Sequence, residues 1–122
     1  MNGIDFLADT NAIIYLLSGN SCMKPFLKKT VAISVISYME LLSFSSITDD
    51  EEKRLRQFLS ICDLIQIDKQ IMEKTIQLRR KYKIKLPDAI IAATAIIHDI
   101  PLITADIGFC KIDSLQMVQI KP

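Results

Sequence analysis

Glycine is scarce in this chain, with only Gly3, Gly19 and Gly108 among 122 residues. Three separated glycines cannot build the Gly-rich loop that cradles nucleotide phosphates, so a P-loop mechanism is excluded. Histidine is scarcer still: His98 stands alone and reads as a structural or surface residue. The cysteines, Cys22, Cys62 and Cys110, form no close pair and no zinc spacing. They read as buried or incidental thiols in a reducing compartment, without a disulfide or metal role. Charge of one sign is also missing. A net charge of +1 with 24% charged residues sets up no global basic field, so any nucleic-acid binding must rest on local clusters. No apolar run approaches the roughly 18 residues of a membrane span, and no basic segment followed by a long apolar stretch opens the chain. The expectation is a cytoplasmic protein with no membrane partner.

What the chain does have is apolar sequence: 50% of it is hydrophobic, enough to fill the core of one domain, expected over 1–122. Short apolar runs at 4–8, 31–34, 64–67, 102–104 and 117–120 read as strands. Longer amphipathic stretches at 11–17, 35–45, 49–60, 69–82 and 88–98 read as helices, with a shorter one around 22–28. Alternation of helices with almost continuously apolar strands predicts an α/β fold, a central parallel sheet of about five strands with helices on both faces. Thr48 before "DDEE" and the cations of "RRKYKIK" at 79–85 suit a helix start and a helix end, where the backbone dipole favours those charges.

Against that background the stretch "FLADTNAIIYLL" at 6–17 is unusual, because an acid, a hydroxyl and an amide sit between two apolar elements. In an open parallel sheet the crevice lies outside the carboxyl ends of the strands, so acids that follow apolar strands converge there. Asp9 follows "IDFLA" and Asp106 follows "PLITA"; Glu40 lies in the helix after "VAIS", and Asp88 opens "DAIIAATAII" after Pro87. Each acid has a plain structural reading. Asp9 and Asp88 suit helix caps, Glu40 stands at capping-box spacing from Ser37, and Asp106 suits a turn beside Gly108. Capping does not explain why all four reach one sheet edge.

Two ionised carboxylates about 4 Å apart repel by roughly 4 kcal/mol at an effective dielectric of 20, so such a cluster must take up protons or a cation. With only oxygen donors available, Mg²⁺ or Mn²⁺ fits better than zinc. A carboxylate-held divalent ion suits phosphodiester hydrolysis.

The ordered segments "FLADTNAIIYLL", "ISVISYMELL", "KLPDAIIAATA" and "LITADIGF" resemble the PIN domain, in particular the VapC-like ribonuclease toxins of bacterial toxin–antitoxin pairs, over essentially the whole chain. The resemblance implies that Asp9, Glu40 and Asp88 are metal-binding acids, with Asp106 at the more variable fourth acidic position. It implies that Thr10, Asn11 and Thr104 support them by hydrogen bonding. Many relatives carry a further acid just before the phenylalanine, where this chain has Gly108 before Phe109, so a second metal would have one ligand fewer. The implied activity is metal-dependent endoribonuclease cleavage of RNA. The implied partners are a small antitoxin and a second copy of the chain, for which Ile13, Ile14 and Leu17 are candidate contacts, with ordinary core as the plain reading for most of them.

Arg79, Arg80, Lys81, Lys83 and Lys85 end shortly before Asp88 and are candidate phosphate contacts, with a solvated helix end as the plain reading and Tyr82 as a candidate base-stacking ring. Two other functions fit the pattern less well. One is a catalytically silent PIN-like module that binds RNA or protein. The other is a receiver-type phospho-acceptor domain, which would need adjacent N-terminal acids, whereas Asp5 and Asp9 are four apart.

Overall fold

The computed structural model describes residues 3–122; residues 1 and 2 of the expected domain lie outside the described residues. Strands β1 (Phe6–Ala8), β2 (Val31–Ser34), β3 (Asp63–Ile65), β4 (Leu102–Thr104) and β5 (Met117–Gln119) form one sheet in the order β3-β2-β1-β4-β5, every pair parallel. Helices α1 (Thr10–Leu17), α2 (Val35–Leu42), α3 (Asp49–Leu59), α4 (Lys69–Lys81) and α5 (Leu86–His98) connect them, with 3-10 helices at Ser21–Phe26 and Ile107–Lys111. This is the expected α/β architecture. β3 stops earlier than the apolar run 64–67 because its one neighbour, β2, turns into α2 after Ser34. Gln66 and Ile67 therefore have no strand backbone to pair with.

The strands read as apolar because both faces of the sheet are covered. Successive side chains point to opposite faces. Leu7, Ala32 and Leu102 pack with Ile71 and Leu78 of α4 and the buried face of α5. Phe6, Ala8, Ile33 and Ile103 pack on the other side with Ile13 of α1, Leu41 of α2 and Leu55 and Leu59 of α3. Every residue from Ala89 to Ala95 is buried, which accounts for the absence of polar periodicity in that helix. The Thr48–Glu51 capping box forms in both directions at the start of α3, so the "DDEE" acids are used structurally.

The chain lays down β2 and β3 on one side of β1 and then crosses to place β4 on the other. That reversal opens a crevice at the carboxyl ends of β1 and β4. Among the described residues no helix is long and apolar enough to cross a membrane. The three cysteines are free and none is fully buried: Cys22 and Cys62 are half-buried and Cys110 is exposed. Burial, with help from Asp63, pushes the Cys62 thiol up to about 11, which makes it a poor nucleophile at neutral pH.

Candidate active site

β1 and β4 run in register as Leu7 beside Leu102 and Ala8 beside Ile103, so Asp9 and Thr104 leave the sheet side by side. Asp9 is nearly buried, with 7% of its surface exposed, and both of its carboxylate oxygens are engaged. Oδ1 accepts the Ala12 N–H at 2.8 Å, which caps α1, while Oδ2 accepts the hydroxyl of the fully buried Thr104. Thr104 Oγ1 in turn accepts the Asp106 N–H at 3.0 Å. One hydroxyl thus fixes two of the four acids relative to each other.

Glu40 is held from the opposite side. α2 begins at Ser34, whose hydroxyl accepts the Ile36 N–H, so the Ser37–Glu40 capping box allowed by spacing does not form. Glu40 lies further along the helix, on its exposed side. Its Oε1 accepts the Thr10 hydroxyl at 2.7 Å. Asp88 is the third residue of α5 and not its cap, a place taken by Lys85 with no side-chain cap bond. Its carboxylate is therefore not engaged in capping. Asp106 caps the 3-10 helix Ile107–Lys111, accepting the Gly108 N–H at 2.8 Å, as a turn aspartate would.

Burial raises the pKa of Asp9, and the negative charges of Asp106 and Asp88 add to that rise, against the opposing hydrogen bonds from Thr104 and Ala12. Burial also raises Asp88, with Asp106 and Glu40 pushing the same way and Lys85 and Lys111 opposing. Asp9 therefore senses the charges of Asp106 and Asp88, and Asp88 those of Asp106 and Glu40.

The donor set fits a hard divalent cation: it offers carboxylate oxygens alone, and His98 lies at the far end of α5 from Asp88. Among the described residues no group of three or more acidic, histidine or cysteine side chains lies arranged to hold a metal ion. Mg²⁺ does not require such a group, since it keeps several waters and binds through one or two carboxylates plus substrate phosphate oxygens.

A cleft of about 260 Å³ next to Asp88 and Asp106 is walled by Lys83, Lys85 and Lys111. None of the three is ion-paired, since among the described residues the one salt bridge joins Arg56 and Glu52. Of the basic cluster, only Lys83 and Lys85 reach this cleft. Arg79 and Arg80 line a separate hollow with Tyr82 and Lys83, and Lys81 lies over the Tyr82 ring at 5.4 Å. The Tyr82 hydroxyl accepts the Asp113 N–H at 3.3 Å, and its ring packs on the core, which leaves it poorly placed for stacking a base. Asn11 is exposed on the first turn of α1, and no hydrogen bond joins its side chain to the acids.

Two residues at the site were not legible as such in the sequence. Lys111 is brought back to Asp88 by the 3-10 turn after Asp106, and its Nζ donates to the Lys83 carbonyl at 2.6 Å. Ser37, which spacing assigned to a cap, is fully buried with its Oγ 3.0 Å from Thr10 Oγ1.

The sequence pattern of the PIN domain family matches residues 6–115. A toxin–antitoxin complex from Klebsiella pneumoniae contains a chain of similar structure, with 39% identity, a TM-score of 0.81, and coverage of 94% of this chain and 97% of that one. VapBC2 from Rickettsia felis, bound to a DNA fragment from its promoter, shares the fold at a TM-score of 0.83 and 24% identity, covering 95% of this chain and 98% of that one. VapBC-1 from nontypeable Haemophilus influenzae does so at 0.81 and 24%, with the same coverage. No curated protein matches the chain.

Proposed function

The chain belongs to the PIN domain family, and we propose that it is a divalent-metal-dependent endoribonuclease acting as the toxin of a toxin–antitoxin pair. The observation that carries this reading is geometric: Thr104 ties Asp9 to Asp106 at the carboxyl edge of the sheet, and Asp106 and Asp88 line one cleft with Lys83, Lys85 and Lys111, none of which is ion-paired.

From the set Asp9, Glu40, Asp88 and Asp106, one or two carboxylates together with water and phosphate oxygens would hold a Mg²⁺ or Mn²⁺ ion, which when bound supplies Lewis-acid activation of a phosphodiester. The remaining work falls to the chain. Thr104 and the Ala12 N–H fix both oxygens of Asp9, and Thr10 fixes Glu40, so the acids are oriented before substrate arrives. Lys83, Lys85 and Lys111 attract the RNA backbone and hold its phosphates against the acidic edge.

The toxin assignment is supported by the likeness to a chain from a toxin–antitoxin complex. It is also supported by a groove of about 630 Å³ between α1, α2 and the start of α3. Ile14, Leu17 and Phe44 line it and are 46%, 44% and 66% exposed. Thr10 and Glu40 also belong to its lining. An antitoxin segment with apolar anchors at helical spacing would fill the groove, and a cation at its end would meet the acids.

The test is cleavage of single-stranded RNA with Mg²⁺ and with EDTA, by the wild type and by Asp9→Asn and Asp88→Asn. Cleavage that needs both the ion and the two acids is expected. Full activity in both variants would remove the proposal, and RNA binding without cutting would leave a silent binding module in its place.

A further inference from the structure

We propose that Ser37 is a positioning residue for the acidic centre, acting through Thr10 to hold Glu40 in its ligating orientation. Buried hydroxyls inside helices ordinarily return their proton to the carbonyl four residues back. Thr75 and Thr94 do so here, donating to Ile71 O and Ile90 O at 2.7 Å each. Ser37 is equally buried but sits in the first turn of α2, where the residue four back is Ile33 of β2 and offers no helical carbonyl; its hydroxyl meets Thr10 Oγ1 of α1 at 3.0 Å.

The direction of that bond follows from proton count. Thr10 has one hydroxyl proton and two bonding partners, and a carboxylate only accepts. Thr10 therefore donates to Glu40 Oε1 at 2.7 Å, the short range of a charge-assisted bond. Ser37 donates to Thr10 Oγ1. The result is a chain Ser37 to Thr10 to Glu40 that runs from a water-free position to an exposed carboxylate. Glu40 has three rotatable side-chain bonds and lies at the surface, where the Thr10 hydroxyl holds its carboxylate. Without the Ser37 proton, Thr10 Oγ1 loses its donor, and both Thr10 and Glu40 gain freedom to rotate away.

This inference rests on the proposed metal-dependent centre, and the test separates the two. Mn²⁺ affinity of the metal-free protein is measured by titration calorimetry for the wild type, Ser37→Ala, Ser37→Thr, Thr10→Val and Glu40→Gln, alongside the melting temperature. Hydroxyls that orient a metal ligand typically change affinity about 10-fold or more when removed. Ser37→Ala is expected to weaken Mn²⁺ by about that factor with little change in melting temperature, and Ser37→Thr to restore it. Thr10→Val breaks the chain from its other end, so it should show the same loss, and the double variant should be no weaker than either single one. Thr10→Val also serves if Ser37→Ala fails to fold. Unchanged affinity in Ser37→Ala or Thr10→Val alongside a clear loss in Glu40→Gln would overturn the positioning role and leave the acidic centre standing. Unchanged affinity in Glu40→Gln as well would remove Glu40 from the centre and the positioning role with it, whereas no Mn²⁺ binding by the wild type would overturn the metal-dependent centre itself.

Discussion

The hydroxyl of Thr104 donates to a carboxylate oxygen of Asp9 across 95 positions of sequence, and both side chains are buried. It joins the last residue of β4 to the cap of α1, and through the Asp106 N–H it reaches a third segment. Thr104→Val should therefore leave a buried carboxylate oxygen without its donor, at a cost of about 1–3 kcal/mol. Lower chemical stability in denaturant and a loss of cleavage are expected together, and Thr104→Ser should recover most of both. Wild-type cleavage by the valine variant would show that Asp9 needs no such anchor.

The raised pKa values of Asp9 and Asp88 have a definite consequence for stability. Their folded values lie above the unfolded ones, so their contribution is fully present below about pH 4 and is lost as pH rises through the folded values. In metal-free buffer, Asp88→Asn should thus melt higher than the wild type at neutral pH, by a few degrees if about 1 kcal/mol is relieved. The gap should shrink toward about pH 4. A gap of the opposite sign, or one independent of pH, would contradict the crowding of charge at this edge.

Lys83, Lys85 and Lys111 wall the acidic cleft, whereas Arg79 and Arg80 line a neighbouring hollow. On single-stranded RNA, each phosphate that a protein cation neutralises adds about 0.7 to the salt slope of log affinity. Lys83→Ala with Lys111→Ala should lower that slope by about 1.4, and Arg80→Ala should change it less. Equal effects from Arg80 and Lys111 would place the RNA track along α4 instead.

Phe44 is the most exposed apolar side chain of the groove beside Glu40. Truncating it to alanine leaves the core packing intact, so the melting temperature should hold. If an antitoxin segment lies in that groove, its affinity should fall by about tenfold, an anchor's usual share. Unchanged affinity would move the partner to another face.

Much of this was legible from one chain because the physics was local or topological. The apolar runs gave the strands, and the rule that crevices form at the carboxyl ends of parallel strands placed Asp9 and Asp106 together. The Thr48 cap before "DDEE" was equally legible, since cap and helix start adjoin in sequence; the structure completes it as a capping box with Glu51. Ser37 was not, because its partner is 27 positions away while a competing cap pattern lay within its own helix. Lys111 was hidden for a similar reason: only the 3-10 turn after Asp106 brings it back to Asp88. The basic cluster was legible as charge but not as direction, since α4 turns Arg79 and Arg80 toward a different hollow from the loop lysines.

The most direct test of the shared-cation claim is anomalous diffraction from crystals of the protein soaked in Mn²⁺. A peak is predicted at the carboxyl ends of β1 and β4, at about 2.0–2.2 Å, the range of hard octahedral ions, from oxygens of Asp9 and Asp88. A fully soaked crystal with no peak there, or with its peak only at acids elsewhere on the surface, would contradict the account.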